Sequence, residues 1–105
     1  MRENLKRELE SRLKILFIQL LKWQCQPGYR GNSWRYGIEE QRTELADQIN
    51  DNPSLEHKLP EALYRGYKYA VNGAPKETGL PKTTFPDTCP WSFEQIMDNE
   101  FSQNS

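Results

Sequence analysis

One histidine, His57, and two cysteines, Cys25 and Cys89, are the only imidazole and thiols in the chain. Cysteine catalysis needs a base beside the thiol and a third group that orients the base. His57 stands between Glu56 and Lys58 in a polar stretch, and its spacing brings it to neither thiol. A zinc site draws on clustered ligands of the CxxC kind, whereas Cys25, His57 and Cys89 are scattered. The thiols read as small buried hydrophobes, Cys89 directly ahead of Pro90. Two reduced thiols suit a cytoplasmic location.

Carboxylate chemistry fares no better. Glu39, Glu40 and Glu44 share one helical segment, where acids ordinarily form the wet face. Glu40 and Glu44 are a like-charged i,i+4 pair, mildly unfavourable unless a cation lies nearby. The PGYRG stretch at 27–31 lacks the spacing of a phosphate loop and the strand that precedes one. No metal, no cofactor and no catalytic set is expected, so the chain reads as non-enzymatic.

Residues 22–42 hold a richer cluster: Lys22, Trp23, Tyr29, Arg30, Trp34, Arg35, Tyr36 and Arg42. Aromatics interleaved with arginine around a turn can stack on bases and pair with phosphates. Lys22, Arg30, Arg35 and Arg42 are therefore candidate contacts to nucleic acid or to a protein partner. The competing reading puts Trp23 and Trp34 in the core and lets Arg42 reach along its helix to an acid or a ring face.

The stretch TGLPKTTFPDTCPWSFEQIMD, residues 78–98, is the other concentration of unusual residues. Pro81, Pro86 and Pro90 bias it to extended or turn conformation. Chemistry there would need converging polar groups, and between Phe85 and Trp91 stand only Asp87 and Thr88 beside the thiol. Phe85, Trp91 and Phe93 instead suit a clasp laid across a helical bundle, each burying roughly 150–250 Å². With Trp23 and Trp34 they are the expected structural anchors.

The elements that position these residues follow from periodicity. Nothing breaks a helix from Arg2 to Cys25, and Gln26-Pro27-Gly28 then stops it. Leu5, Leu9, Leu13, Leu16, Phe17, Leu20 and Trp23 fall on one face at 3.6 residues per turn, while Ile15 and Ile18 fall on the other. A helix apolar on two sides needs partners on two sides. A second helix is expected from about Trp34 to Asn50, capped by Asn32 or Ser33, with Ile38, Leu45 and Ile49 inward and Arg42 at the margin. Gly37 within it implies a close neighbour. Asn52 and Pro53 restart the chain as N-cap and first residue of a third helix, with a kink or break near Leu59 ahead of Pro60. That helix carries Leu55, Leu59, Leu63, Tyr67, Ala70, Val71 and Ala74 on one face, and Pro75 ends it or kinks its last turn. Ser92 and Gln95 match a capping box that starts a short C-terminal helix ending near Asn99.

At 105 residues with 35% hydrophobic, 28% charged and 11% aromatic composition, residues 1–101 make one small domain and 102–105 a frayed tail. Residues 1–42 carry nine Lys or Arg against five Asp or Glu, a net +4, and residues 43–105 carry five against ten, a net −5. Such halves can attract each other within the fold or between copies. The opening MRENLKRELE has no apolar signal core, and the run ILFIQLL is too short to cross a bilayer.

The blocks LLKWQ, SWR, EQR, PSL and ETGL followed by FP and CPW, in that order, resemble a bacterial domain-of-unknown-function family, number 29. The resemblance runs from about Leu5 to Phe101. It implies an all-α bundle and no established activity, substrate or cofactor. Family members usually carry a further N-terminal helical segment, which would cover Ile15 and Ile18. The resemblance therefore implies a domain truncated at its N-terminus relative to the family, or one that pairs with another chain. Cys25 stands where an aromatic is common, and Pro60 and Pro75 interrupt a usually smoother helix. The expectation is a small all-α bundle of three main helices, the third kinked near Pro60, closed by an extended Pro/aromatic segment and a short helix. Its function reads as a non-catalytic protein-interaction module, partnered or self-associating through Ile15 and Ile18. Nucleic-acid binding through residues 22–42 is the alternative.

Overall fold

A computed structural model describes residues 2–25 and 32–98, with side chains from 5 to 25 and from 35 to 98. Helix α1 spans Arg2–Cys25, α2 Asn32–Asp51, α3 Leu59–Thr78 and α4 Phe93–Met97. Short 3₁₀ turns at Pro53–Lys58 and Lys82–Thr84 join them. Among the described residues there is no strand, so the fold is all-α. The 27–31 turn, the capping side chains Asn32 and Ser33, the side chain of Trp34, and the tail from 99 onward lie outside the described residues.

The three long helices run up, down and up. Gln48 Nε2 donates to the Leu5 carbonyl at 3.4 Å and Arg12 pairs with Glu44, so α1 and α2 are antiparallel. Lys6 meets Glu61 at one end while Lys22 and Glu77 share a groove at the other, so α1 and α3 run parallel. Helix α1 packs on both neighbours and is the middle of the bundle. That position explains its two apolar sides. Leu9, Leu13, Leu16, Phe17 and Leu21 are fully buried, and each such side chain contributes roughly 1.5–3 kcal/mol.

The close fit of α1 to α3 comes from small residues. Ala62, Gly66, Ala70 and Ala74 recur every four residues on α3, all buried, which opens a groove for the leucine ridge of α1. A Cβ at Gly66 would sit 2.9 Å from Leu13 Cβ and 3.4 Å from the Glu10 carbonyl oxygen. Only glycine permits that approach. At Gly37 the neighbour is Gln19 on α1, whose Nε2 would lie 2.9 Å from an added Cβ.

The prolines act differently from a simple kink. Pro60 lies in the first turn of α3, where its missing N–H has no intrahelical acceptor to lose, so the break falls ahead of it. Pro75 is tolerated inside α3, which continues to Thr78 and stops at Gly79 with φ +75°. Thr78 Oγ1 donates to the Ala74 carbonyl at 2.8 Å and accepts from Leu80 N at 3.1 Å, closing that end. Asn52 makes no side-chain cap; its Nδ2 donates back to the Gln48 carbonyl at 3.1 Å. The Ser92–Gln95 capping box forms in full, at 3.2 and 2.9 Å, and starts α4.

The segment after α3 touches all three long helices. Trp91 stacks on Phe17 of α1, with ring centroids 6.3 Å apart and an interplanar angle of 14°. Tyr67 of α3 donates from its hydroxyl to the Pro86 carbonyl at 2.7 Å. Arg42 of α2 donates from Nε to the Ile96 carbonyl at 2.6 Å. Phe85 and Ile96 are buried, and Trp91 and Phe93 pack half-buried on the same core.

Candidate functional site

The residues that could do chemistry are held apart. His57 is exposed in the 3₁₀ turn ahead of α3, at the end of the bundle where Lys6 meets Glu61. Cys25 closes α1, 19 residues beyond Lys6 or roughly 28 Å at helical rise. Cys89 lines a cleft with Tyr67, which lies eight residues or roughly 12 Å beyond the start of α3, while His57 precedes that start. No Cys–His pair is assembled. Burial pushes both thiols up from their ordinary value, away from the reactive thiolate. Among the described residues no three His, Cys, Asp or Glu side chains converge to hold a metal. Glu44, one of the clustered acids, is taken up by Arg12, which also holds Glu8 at 2.9 Å; this is the cation that relieves the Glu40–Glu44 repulsion.

The basic cluster of residues 22–42 is not a single face. Arg42 is only 3% exposed, and its guanidinium closes α4 instead of meeting solvent, which corrects its placement as a nucleic-acid or partner contact. The reason is local: a five-residue helix leaves its last carbonyls without intrahelical donors, and a buried guanidinium supplies one. Burial lowers the Arg42 pKa, while Asp98 and Glu39 work to keep it charged. Arg35 lies half-buried on α2, Lys22 half-buried on α1, and Arg30 is outside the described residues. Trp23 is buried, as a structural anchor requires.

The Ile15/Ile18 pairing also divides. Ile18 is 7% exposed, with its Cδ1 against Gly73 of α3, whereas Ile15 stands 43% exposed. The cover expected for Ile18 comes from α3, because glycine at 73 lets the two helices close over it.

What the structure does bring together is a seam between α1 and α3. Its upper part is a groove of about 590 Å³ lined by Lys6, Arg7, Glu10, Lys14, Arg65 and Tyr69. Its lower part, of about 220 Å³, is lined by Ile15, Ile18, Gln19, Lys22 and Glu77. Lys14 and Ile18 meet over Gly73, which joins the two. Lys6 and Arg65 share one acid, Glu61, at 2.8 and 3.3 Å. Five cations thus line a trough whose carboxylates are Glu10, Glu77 and the shared Glu61, with Ile15 and Tyr69 offering apolar surface between them. Lys6, Arg7, Lys14 and Arg65 line this trough although none of them belongs to the 22–42 cluster. The usable signal was the spacing of Arg65 and Tyr69 four apart, beside the small-residue stripe of α3.

Fold and seam together define a small all-α bundle with an open, mixed basic and apolar groove. The family model for domain of unknown function DUF29 matches residues 1–102, and the chain belongs to that family. No curated protein and no solved structure matches it. No helix among the described residues is long and apolar enough to cross a membrane.

Proposed function

We propose that this protein is a non-catalytic protein-interaction module that docks a partner segment along the α1/α3 seam. The observation that carries the reading is Ile15, exposed in a trough rimmed by Lys6, Arg7, Lys14, Lys22 and Arg65. A scattered surface isoleucine means nothing by itself. An apolar anchor inside a groove with excess positive charge suits an amphipathic acidic helix, whose apolar side chains meet Ile15 and Tyr69 while its carboxylates meet the cations. Glu10 and Glu77 in the same trough disfavour a continuous phosphate backbone, and the burial of Arg42 weakens the nucleic-acid reading of residues 22–42.

The experiment is affinity purification from native cells with wild-type protein, Ile15→Asp and Lys14→Glu side by side. A protein retained by wild type and released by both variants, with urea midpoints unchanged, is the expected result. A second copy as the occupant would appear as concentration-dependent dimerisation lost in Ile15→Asp. Retention by both variants, or recovery of nucleic acid with a steep salt dependence, overturns the proposal.

A further inference from the structure

The clasp and α3 enclose a second cleft that shares no residue with the seam. Its volume is about 300 Å³, at the lower end of the range that holds small organic ligands. One wall is the α3 stripe Tyr64, Lys68 and Asn72, four residues apart and so on one face. Lys82, Asp87 and Thr88 of the clasp form the other wall.

We propose that this cleft binds a small aromatic monoanion, a benzoate-like carboxylate, with its ring on Tyr64 and its carboxylate between Lys68 and Lys82. Neither lysine has an ion-pair partner among the described residues, although both face one concavity. Against them stands one acid, Asp87, so the cleft has room for one further negative charge. Tyr64 is 70% exposed on the rim, while Tyr67 one turn away is buried, and an open ring face is a stacking platform. Val71 supplies an apolar floor, and the amide of Asn72 can donate to the carboxylate. The wall is set before any ligand arrives. Tyr67 holds the Pro86 carbonyl at 2.7 Å and Cys89 Sγ contacts the Trp91 carbonyl at 3.3 Å, fixing the backbone on both sides of Asp87 and Thr88.

The test is an amide NMR titration of the full chain with benzoate, benzyl alcohol and inorganic phosphate. Benzoate should move the Asn72, Lys82 and Thr88 amides at concentrations on the order of 1–10 mM, with the other two probes at least roughly tenfold weaker. Lys68→Gln combined with Lys82→Gln should weaken benzoate roughly tenfold or more, since each loses a charged donor. Both lysines are exposed, so the urea midpoint should hold. Tyr64→Ala should weaken benzoate and leave phosphate unchanged. Silence of those amides, phosphate binding as tightly as benzoate, or undiminished affinity in the double variant would each overturn the proposal. The seam variants Ile15→Asp and Lys14→Glu leave this cleft intact, so the two proposals fail separately.

Discussion

Arg42 Nε donates to the Ile96 carbonyl at 2.6 Å, tying the middle of α2 to the end of α4 across 54 residues of chain. Both residues are buried, so this is a charged donor meeting a backbone acceptor away from water. The bond substitutes for the intrahelical donor that so short a helix cannot provide. It makes a residue from the basic cluster a fastener of the clasp.

Arg42→Ala should therefore behave as a core mutation. Loss of a buried charged hydrogen bond and of the packed guanidinium stem should destabilise by about 2–3 kcal/mol. Urea unfolding checks the size, and near-ultraviolet circular dichroism should show the Trp91 environment loosening. A surface-like change below about 0.5 kcal/mol would contradict the assignment.

The clasp should be part of the core. Phe85→Ala and Ile96→Ala remove side chains with almost no exposed surface and should each cost about 2–5 kcal/mol. Deleting residues 81–98 should leave Phe17 uncovered and melt the bundle, with dye binding to the exposed face. An unchanged thermal midpoint after that deletion is the contrary result.

Two glycines with equal clash distances should respond oppositely. At Gly66 an added methyl meets Leu13 Cβ and nearby backbone, neither of which can yield, so Gly66→Ala should destabilise by about 1–3 kcal/mol. At Gly37 the obstacle is the flexible end of Gln19, which can swing aside. Gly37→Ala should then gain from helix propensity, up to about 1 kcal/mol. Chemical denaturation of the pair decides it.

Alkaline pH should unlatch Tyr67. Burial, followed by the nearby Cys89, Asp87 and Cys25 charges, pushes its phenol up to about 12 from an ordinary 10. A raised value means that folding favours the protonated form. The contribution, about 2–3 kcal/mol, is present in full below pH 10 and is lost as pH climbs through 12. Burial raises both thiols too, in the same direction, so the measurement belongs in a Cys25→Ser, Cys89→Ser background. There burial, the largest cause, remains while the two thiolate charges are gone. The urea midpoint should still fall as pH rises above 10, by less than the full amount, and Tyr67→Phe should flatten that fall.

Helix positions, the inward face of α1, the Ser92 capping box and the break ahead of Pro60 were all legible in the sequence. Each is set by local chemistry: periodicity, proline's missing donor, and side-chain oxygens near N–H groups. Gly37 announced a close neighbour without saying which. Tertiary structure alone decided that α1 is central, since two apolar sides fit equally a middle helix and one awaiting another chain. It alone sent Arg42 inward while Ile15 stayed out. Helical periodicity puts a residue on a stripe margin, but whether the margin is wet depends on what packs over it. In this fold that is a carbonyl 54 residues away, at Ile96, and no local pattern records it.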